Sequence, residues 1–206
     1  MLSFALMMIA AYLIGSIPFG VVVGRLRGFD PRTVGSGNIG MTNVARAGGS
    51  SAAVLTFAGD VLKSAVPVAA ARALGFLPPE LAWIALAAFV GSIFSLFLRL
   101  RGGKGVSGAL GVWAMLSPFA LLFAIAAFAV VLASFRIMSL ASIVAALVIP
   151  IAVAAVGGPR PYLVLALTIS ALVLVRHAEN IQRLLRGAEP RFGERKREEG
   201  AMQQND

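Results

Sequence analysis

Stretches of about 15–25 apolar residues recur along the chain, broken by short polar segments, and this pattern constrains the fold more than any other feature. Backbone amides and carbonyls find no water inside a bilayer, so each stretch must satisfy its own groups, and a helix does so. An all-α integral membrane protein is the expectation. Of 206 residues, 59% are hydrophobic and 13% charged, whereas about a quarter of a soluble domain is charged. Seven helical segments are read at roughly 2–24, 51–73, 81–98, 105–116, 118–135, 139–156 and 161–177, within a single transmembrane domain over 1–187. The fourth, at about 12 residues, is too short to cross a ~30 Å hydrocarbon core alone. Pro118 follows it, so the fourth and fifth read as a tight hairpin sheltered by protein. The first stretch has neither a basic n-region nor a clean small-residue cleavage site, and reads as a retained span.

Orientation follows from the basic residues. With the N-terminus outside, fifteen of the eighteen Lys and Arg residues fall on the inner side. Only Arg72 and Arg160 lie outside, and Lys63 lies within a span. The positive-inside rule therefore gives N-out, C-in, and accounts for the net charge of +9 without nucleic acid. Residues 188–206, "AEPRFGERKREEGAMQQND", are charged and poor in apolar side chains, and read as a disordered cytoplasmic tail without chemistry. The chain has no cysteine, one histidine and nine scattered acids, which excludes thiolate chemistry and argues against a metal site. The two halves share no matching pair of broken helices, which weighs against an inverted-repeat transporter.

The same topology brings three unusual segments to the inner face. The first, "GSGNIGMTNVAR" (35–46), contains G-x-G-x-x-G at Gly35, Gly37 and Gly40, with Asp60 twenty residues on. A dinucleotide site needs a buried strand before the first glycine and a βαβ unit around it. Here a span end and a basic loop precede it, so that reading is rejected. Glycines that turn backbone N–H groups onto an anion remain, with Ser36, Asn38, Thr42 and Asn43 as short polar groups and Arg46 as a phosphate-matching fork. A plain connecting loop is the competing explanation.

The second segment, "RGGKGV" (101–106), is not a P-loop, because Leu98 stands at the first glycine position and Gly105 follows Lys104. It still offers consecutive amides and a lysine at a helix start, a good phosphate seat. A positive-inside anchor explains Arg99 and Arg101 but not the glycines. The third, "RHAENIQRLLRG" (176–187), reads as an amphipathic continuation of the last span, with His177 beside Asn180 and Glu179 within reach of Arg176 or Arg183. A solvated histidine at the interface is the simpler alternative. Asp60 and Lys63, a turn apart within the second span, are either functional or a structural ion pair. Together the segments suggest a phosphorylated substrate taken from the inner face, with transport and acyl or phosphoryl transfer both open.

"GSIPFG" (15–20), "GSGNIGMTNVAR", "DVLKSAVPV" (60–68), "FLRLRGGKGV" (97–106) and "RHAENIQRLL" follow one another in an order and spacing that resembles the PlsY family, the bacterial acyl-phosphate:glycerol-3-phosphate acyltransferases. The resemblance implies an inner-membrane, multi-pass enzyme with a cytoplasm-facing site. It would make 1-acylglycerol 3-phosphate from acyl phosphate and glycerol 3-phosphate without a cofactor or metal. Membrane lipid is an implied partner, and the enzyme that makes the acyl phosphate is one the resemblance leaves open.

Carried over residue by residue, it implies substrate-binding roles for Ser36, Asn38, Asn43, Arg46, Gly102, Gly103, Gly105 and Glu179, and catalytic roles for Lys104, His177 and Asn180. Arg46, Lys104 and Asn180 are assigned to glycerol phosphate and the glycine amides to the donor phosphate. The proton acceptor is His177 or a substrate phosphate, with the latter favoured. Three positions depart from the family pattern: Ser92 stands where His is usual, Ser107-Gly108 where Ala-Thr is usual, and Ala178 where Arg is common. A carrier for a small phosphorylated metabolite is the alternative of another class.

Overall fold

The computed structural model describes residues 1–191. Among them the regular structure is helical: α1 (Leu2–Gly15), α2 (Phe19–Leu26), α3 (Met41–Ala73), α4 (Pro78–Ile93), α5 (Val106–Leu116), α6 (Pro118–Phe135), α7 (Met138–Ala155), α8 (Arg160–Arg176) and α9 (Ala178–Leu185), with short 3-10 turns at Pro31–Thr33 and Leu96–Leu98. Proline opens α4 and α6 at the first helical position, where its missing N–H is no loss. α3, α4 with its following turn, α6 and α7 are each long and apolar enough to cross a membrane, and the bent pairs α1–α2 and α8–α9 are candidate spans too. With the short α5 this matches the seven segments read from the sequence. The tail expected over 188–206 lies, from residue 192 onward, outside the described residues.

Three segments differ from the expectation. The first span is broken, α1 and α2 meeting at 44°, because Pro18 lacks an N–H and pushes the preceding residue out of the helical region. α3 begins at Met41 and not near 51, with Gly49 at φ 78° interrupting it. The third polar segment does not continue α8 but turns by 62°. The turn falls at His177, whose backbone (φ −101°, ψ 9°) leaves helical values.

A break at membrane depth frees carbonyls that must find donors. Ser95 Oγ donates to Ser16 O, and Lys63 Nζ donates to Ile17 O at 2.9 Å. The same ammonium bonds Asp60 Oδ1 at 2.6 Å, and the Lys63 side chain is only 4% exposed. Asp60 and Lys63 are therefore the brace of the broken span, the structural member of the two alternatives the sequence left open. Truncating either would leave a buried charge unpaired.

α1 packs on α4, and α3 on α5. Glycines allow the close approach: a Cβ on Gly15 would overlap the Ala88 carbonyl, and one on Gly111 the Val61 carbonyl. Phe89, Ile93, Val112, Trp113 and Val173 are almost fully buried where α4, α5 and α8 meet. α6 contributes only Ala120 and Ala124 to the interior, leaving Phe119, Leu122 and Phe123 exposed on its lipid side. This packing fixes the end of α4, the start of α5 and the α8–α9 turn as neighbours.

Candidate active site

The first polar segment is organised around Asn43, in the first turn of α3 and 2% exposed. Its Nδ2 lies 2.7–2.9 Å from Pro31 O, Val34 O and Asn38 O, which share its two hydrogens, and its Oδ1 accepts from Ser36 N at 3.0 Å. Asn43 thus shapes the loop, and its polar atoms are engaged there, not held open for a ligand. Gly35 must be glycine: it sits at φ 59°, and a Cβ would lie 2.5 Å from Asn43 Oδ1. Asn38 Oδ1 accepts from Gly40 N at 2.9 Å, leaving its Nδ2 without a partner among the described residues. Upstream, Arg32 grips Asp30 through both side-chain and backbone hydrogen bonds, which lower the Asp30 pKa to about 2. Arg46 is exposed and makes no ion pair among the described residues.

The glycine loop is built differently from the sequence expectation. Gly102 N donates to Ile93 O at 3.1 Å and Gly103 N to Ser92 O at 3.2 Å, so two of the amides expected to face phosphate instead close the end of α4. Their carbonyls are taken as well: Arg176 Nη2 donates to Gly102 O at 2.8 Å and Nε to Gly103 O at 3.1 Å. Gly105, at φ 83°, caps α5 and packs on Phe89 and Ile93, and no side chain caps that helix. The amides of its first turn are the ones left for an anion.

Lys104 points away from the loop to the third segment. Its Nζ donates to Asn180 Oδ1 at 2.6 Å; Asn180 Nδ2 donates to Glu189 Oε1 at 2.6 Å. Ser139 Oγ and Arg183 Nε, each at 2.7 Å, complete the carboxylate's shell. A carboxylate only accepts, so Glu189 turns the Asn180 amide donor toward itself and leaves the amide oxygen for Lys104. Burial lowers the pKa of Lys104, against the opposing charge of Glu189. For Glu189, burial raises the pKa, but hydrogen bonds from Ser139, Asn180 and Arg183 outweigh it and the net shift is downward.

His177 is 2% exposed, not solvated at the interface. Its Nδ1 lies 2.8 Å from Val173 O. A carbonyl can only accept, so Nδ1 carries the hydrogen and the neutral ring presents the Nε2 lone pair.

Between the first two segments lies a cavity of about 330 Å³, lined by Arg32, Ser36, Asn38, Arg101, Gly102 and Arg176 among others. Ser36, Asn38 and Gly102 therefore share one space, while Lys104, Asn180 and the carboxylate of Glu189 form a second polar group. Glu179 joins neither: its side chain is 90% exposed and only approaches Arg183, at 4.0 Å. Ser92 and Gly108 prove to be neighbours, since a Cβ on Gly108 would lie 2.9 Å from Ser92 Oγ. Glu189, Ser139 and the loop-holding role of Arg176 were not read from the sequence. The nearest signal was the position of Arg176 beside His177.

The depressed pKa of Glu189 sets a sign. A carboxylate more acidic folded than unfolded stabilises fully above its ordinary value of 4.5 and loses that contribution as pH falls through the folded pKa. Glu189→Gln in detergent should flatten the fall of the unfolding midpoint on acidification below about pH 4.5. It should also lower activity at neutral pH, because a neutral glutamine no longer balances the charge of Lys104 and, able to donate as well as accept, no longer fixes the Asn180 amide oxygen toward it. A variant with the wild-type acid slope and activity would contradict this role.

A family model described as glycerol-3-phosphate acyltransferase matches residues 5–187. The glycerol-3-phosphate acyltransferase of Geobacter sulfurreducens is 48% identical over 193 residues, covering 93% of this chain and 99% of the relative. That of Rubrobacter xylanophilus is 48% identical over 190 residues, covering 92% and 96%. Among solved structures, PlsY (YgiH), an integral membrane glycerol 3-phosphate acyltransferase, matches in its glycerol 3-phosphate form with a TM-score of 0.88 and 42% identity, over 93% of this chain and 96% of that one. Its lysophosphatidic acid form matches with a TM-score of 0.87 and 41% identity over the same shares. On sequence and fold together, the chain belongs to the glycerol-3-phosphate acyltransferase family.

Proposed function

We propose that this protein transfers an acyl group from acyl phosphate to glycerol 3-phosphate at the inner face of a bacterial plasma membrane. The observation that carries the reading is the pairing of two anion-ready groups across one glycine loop: Lys104 with Asn180, and the arginine-lined cavity with Ser36 and Asn38. Both substrates carry a phosphate, so two such groups are what the reaction needs. Names of the relatives and the two ligand forms of PlsY support the acceptor and the lipid product. The inner-face orientation rests on the distribution of Lys and Arg.

In this reading Lys104, Asn180 and Arg46 hold the glycerol phosphate. Arg101, Ser36 and the Nδ2 of Asn38 hold the donor phosphate, with the first amides of α5 facing the charge that develops on the acyl oxygen. The glycerol hydroxyl oxygen attacks the acyl carbon, the carbon–oxygen bond to phosphate breaks, and inorganic phosphate leaves. The hydroxyl proton passes to a base, and 1-acylglycerol 3-phosphate is formed. Since the leaving group is good, positioning and charge neutralisation carry most of the catalysis. A substrate phosphate takes the proton, and His177, fixed by Val173 O, orients the acceptor through Nε2.

Purified protein with labelled glycerol 3-phosphate should give lysophosphatidic acid from palmitoyl phosphate and essentially none from palmitoyl-CoA, undiminished by EDTA. Equal rates from both donors would overturn the donor assignment, and vesicle uptake of glycerol 3-phosphate without product would make the protein a carrier.

His177, the chain's single histidine, allows a clean test of the base. His177→Ala should lose less than about a thousandfold in kcat, and the pH–rate profile should keep an acid-limb inflection near pH ~6, where a phosphate monoester loses its second proton. A flat acid limb with near-total loss would make His177 the base.

A further inference from the structure

We propose that Arg176 is a positioning residue for acyl transfer: its guanidinium fork clamps the carbonyls of Gly102 and Gly103, and so fixes Lys104 relative to His177 and Asn180. The two bonds, 2.8 Å from Nη2 and 3.1 Å from Nε, are a two-point grip on consecutive carbonyls. The amides of the same two residues bond Ile93 O and Ser92 O. All four backbone polar groups of the dipeptide are thereby engaged, two by α4 and two by a single side chain at the end of α8. Lys104 is the next residue along.

Nothing else on α8 reaches these carbonyls among the described residues. Immediately upstream, Arg99 and Leu100 hold left-handed backbone conformations, φ 51° and 64°. Such residues persist only where their surroundings fix them, and they cluster at functional sites. Leu100 N bonds Ser95 O and Arg101 N bonds Leu98 O, which secure the turn on the α4 side. On the α8 side the clamp is Arg176. Because Arg176 precedes His177 in sequence, one residue pair joins the turn between α8 and α9 to the loop that carries Lys104. A basic residue kept only for membrane orientation needs no fork, and lysine would serve equally. A clamp on two carbonyls needs the planar fork, which lysine lacks.

The proposal rests on the reading that Lys104 holds a substrate phosphate, and its test separates the two. Arg176→Lys is compared with the wild type in three measurements: the unfolding midpoint in detergent, amide hydrogen exchange of the peptide over residues 99–106, and kinetics with palmitoyl phosphate and glycerol 3-phosphate. The clamp predicts a folded variant, faster exchange in that peptide alone, and a kcat/KM lowered by about tenfold to a hundredfold, with KM for glycerol 3-phosphate raised. Arg176→Ala should be impaired further and regain activity with added guanidinium but not with ammonium. Should the alanine variant fail to fold, the lysine variant decides.

Wild-type exchange and kinetics in Arg176→Lys would overturn the proposal. So would faster exchange with unchanged kinetics, since the clamp would then position nothing. The exchange measurement needs no substrate, so it stands even where the donor or the role of Lys104 is misassigned.

Discussion

Gly102 and Gly103 sit where three helices have to agree. Their amides complete the end of α4, their carbonyls receive the guanidinium from the end of α8, and α5 starts three residues after Gly103 with its first amides uncapped. A side chain at Gly102 would approach Ser92 O to 2.5 Å, and one at Gly105 would meet Ile93 and Phe89 at 2.7 Å. The two positions are glycine because helices close in on the loop. Lys104 therefore reaches Asn180 from a fixed backbone, and an ammonium held in that way loses little freedom when a phosphate arrives.

The same requirement, that no backbone group in a membrane be left without a partner, organises the rest of the bundle. Lys63 and Ser95 serve the carbonyls freed at the break between α1 and α2, and Asp60 balances the lysine. Tyr12 on α1 donates to Phe94 O, next to the turn that leads into the glycine loop. At the break between α1 and α2 the answering side chains come from α3 and from the turn after α4. The irregular backbone that a polar site needs is thus held by protein, in a chain whose lipid-facing surface, as on α6, is plainly apolar.

Much of this was legible in the sequence. The length and polarity of the stretches gave the helices, and three short runs of glycine, amide and basic residues marked the segments that meet. Features that depend on neighbours in space were not legible. The apolar and polar periodicity runs through His177 without interruption, so nothing marked the 62° turn. Whether Gly102 and Gly103 would offer their amides to a ligand depended on where α4 ended. Glu189 is one acid in a charged tail, and only the fold brings it to Asn180 with its side chain 8% exposed. Ser92 and Gly108 looked like two separate departures from the family pattern, whereas the packing of α5 on α4 makes them one contact.

The account stands on Lys104 as the group that meets substrate charge, and Lys104→Ala measures that most directly. With Asn180 and Glu189 left in place, removing the ammonium should cost several kcal/mol of transition-state binding, on the scale of breaking a charge pair shielded from water. The predicted result is a folded protein with kcat/KM for glycerol 3-phosphate lowered at least ~100-fold, each 1.4 kcal/mol being about tenfold. A folded variant with near-normal kinetics would contradict the account, and would return Lys104 to the basic residues that the sequence reading assigns only to membrane orientation.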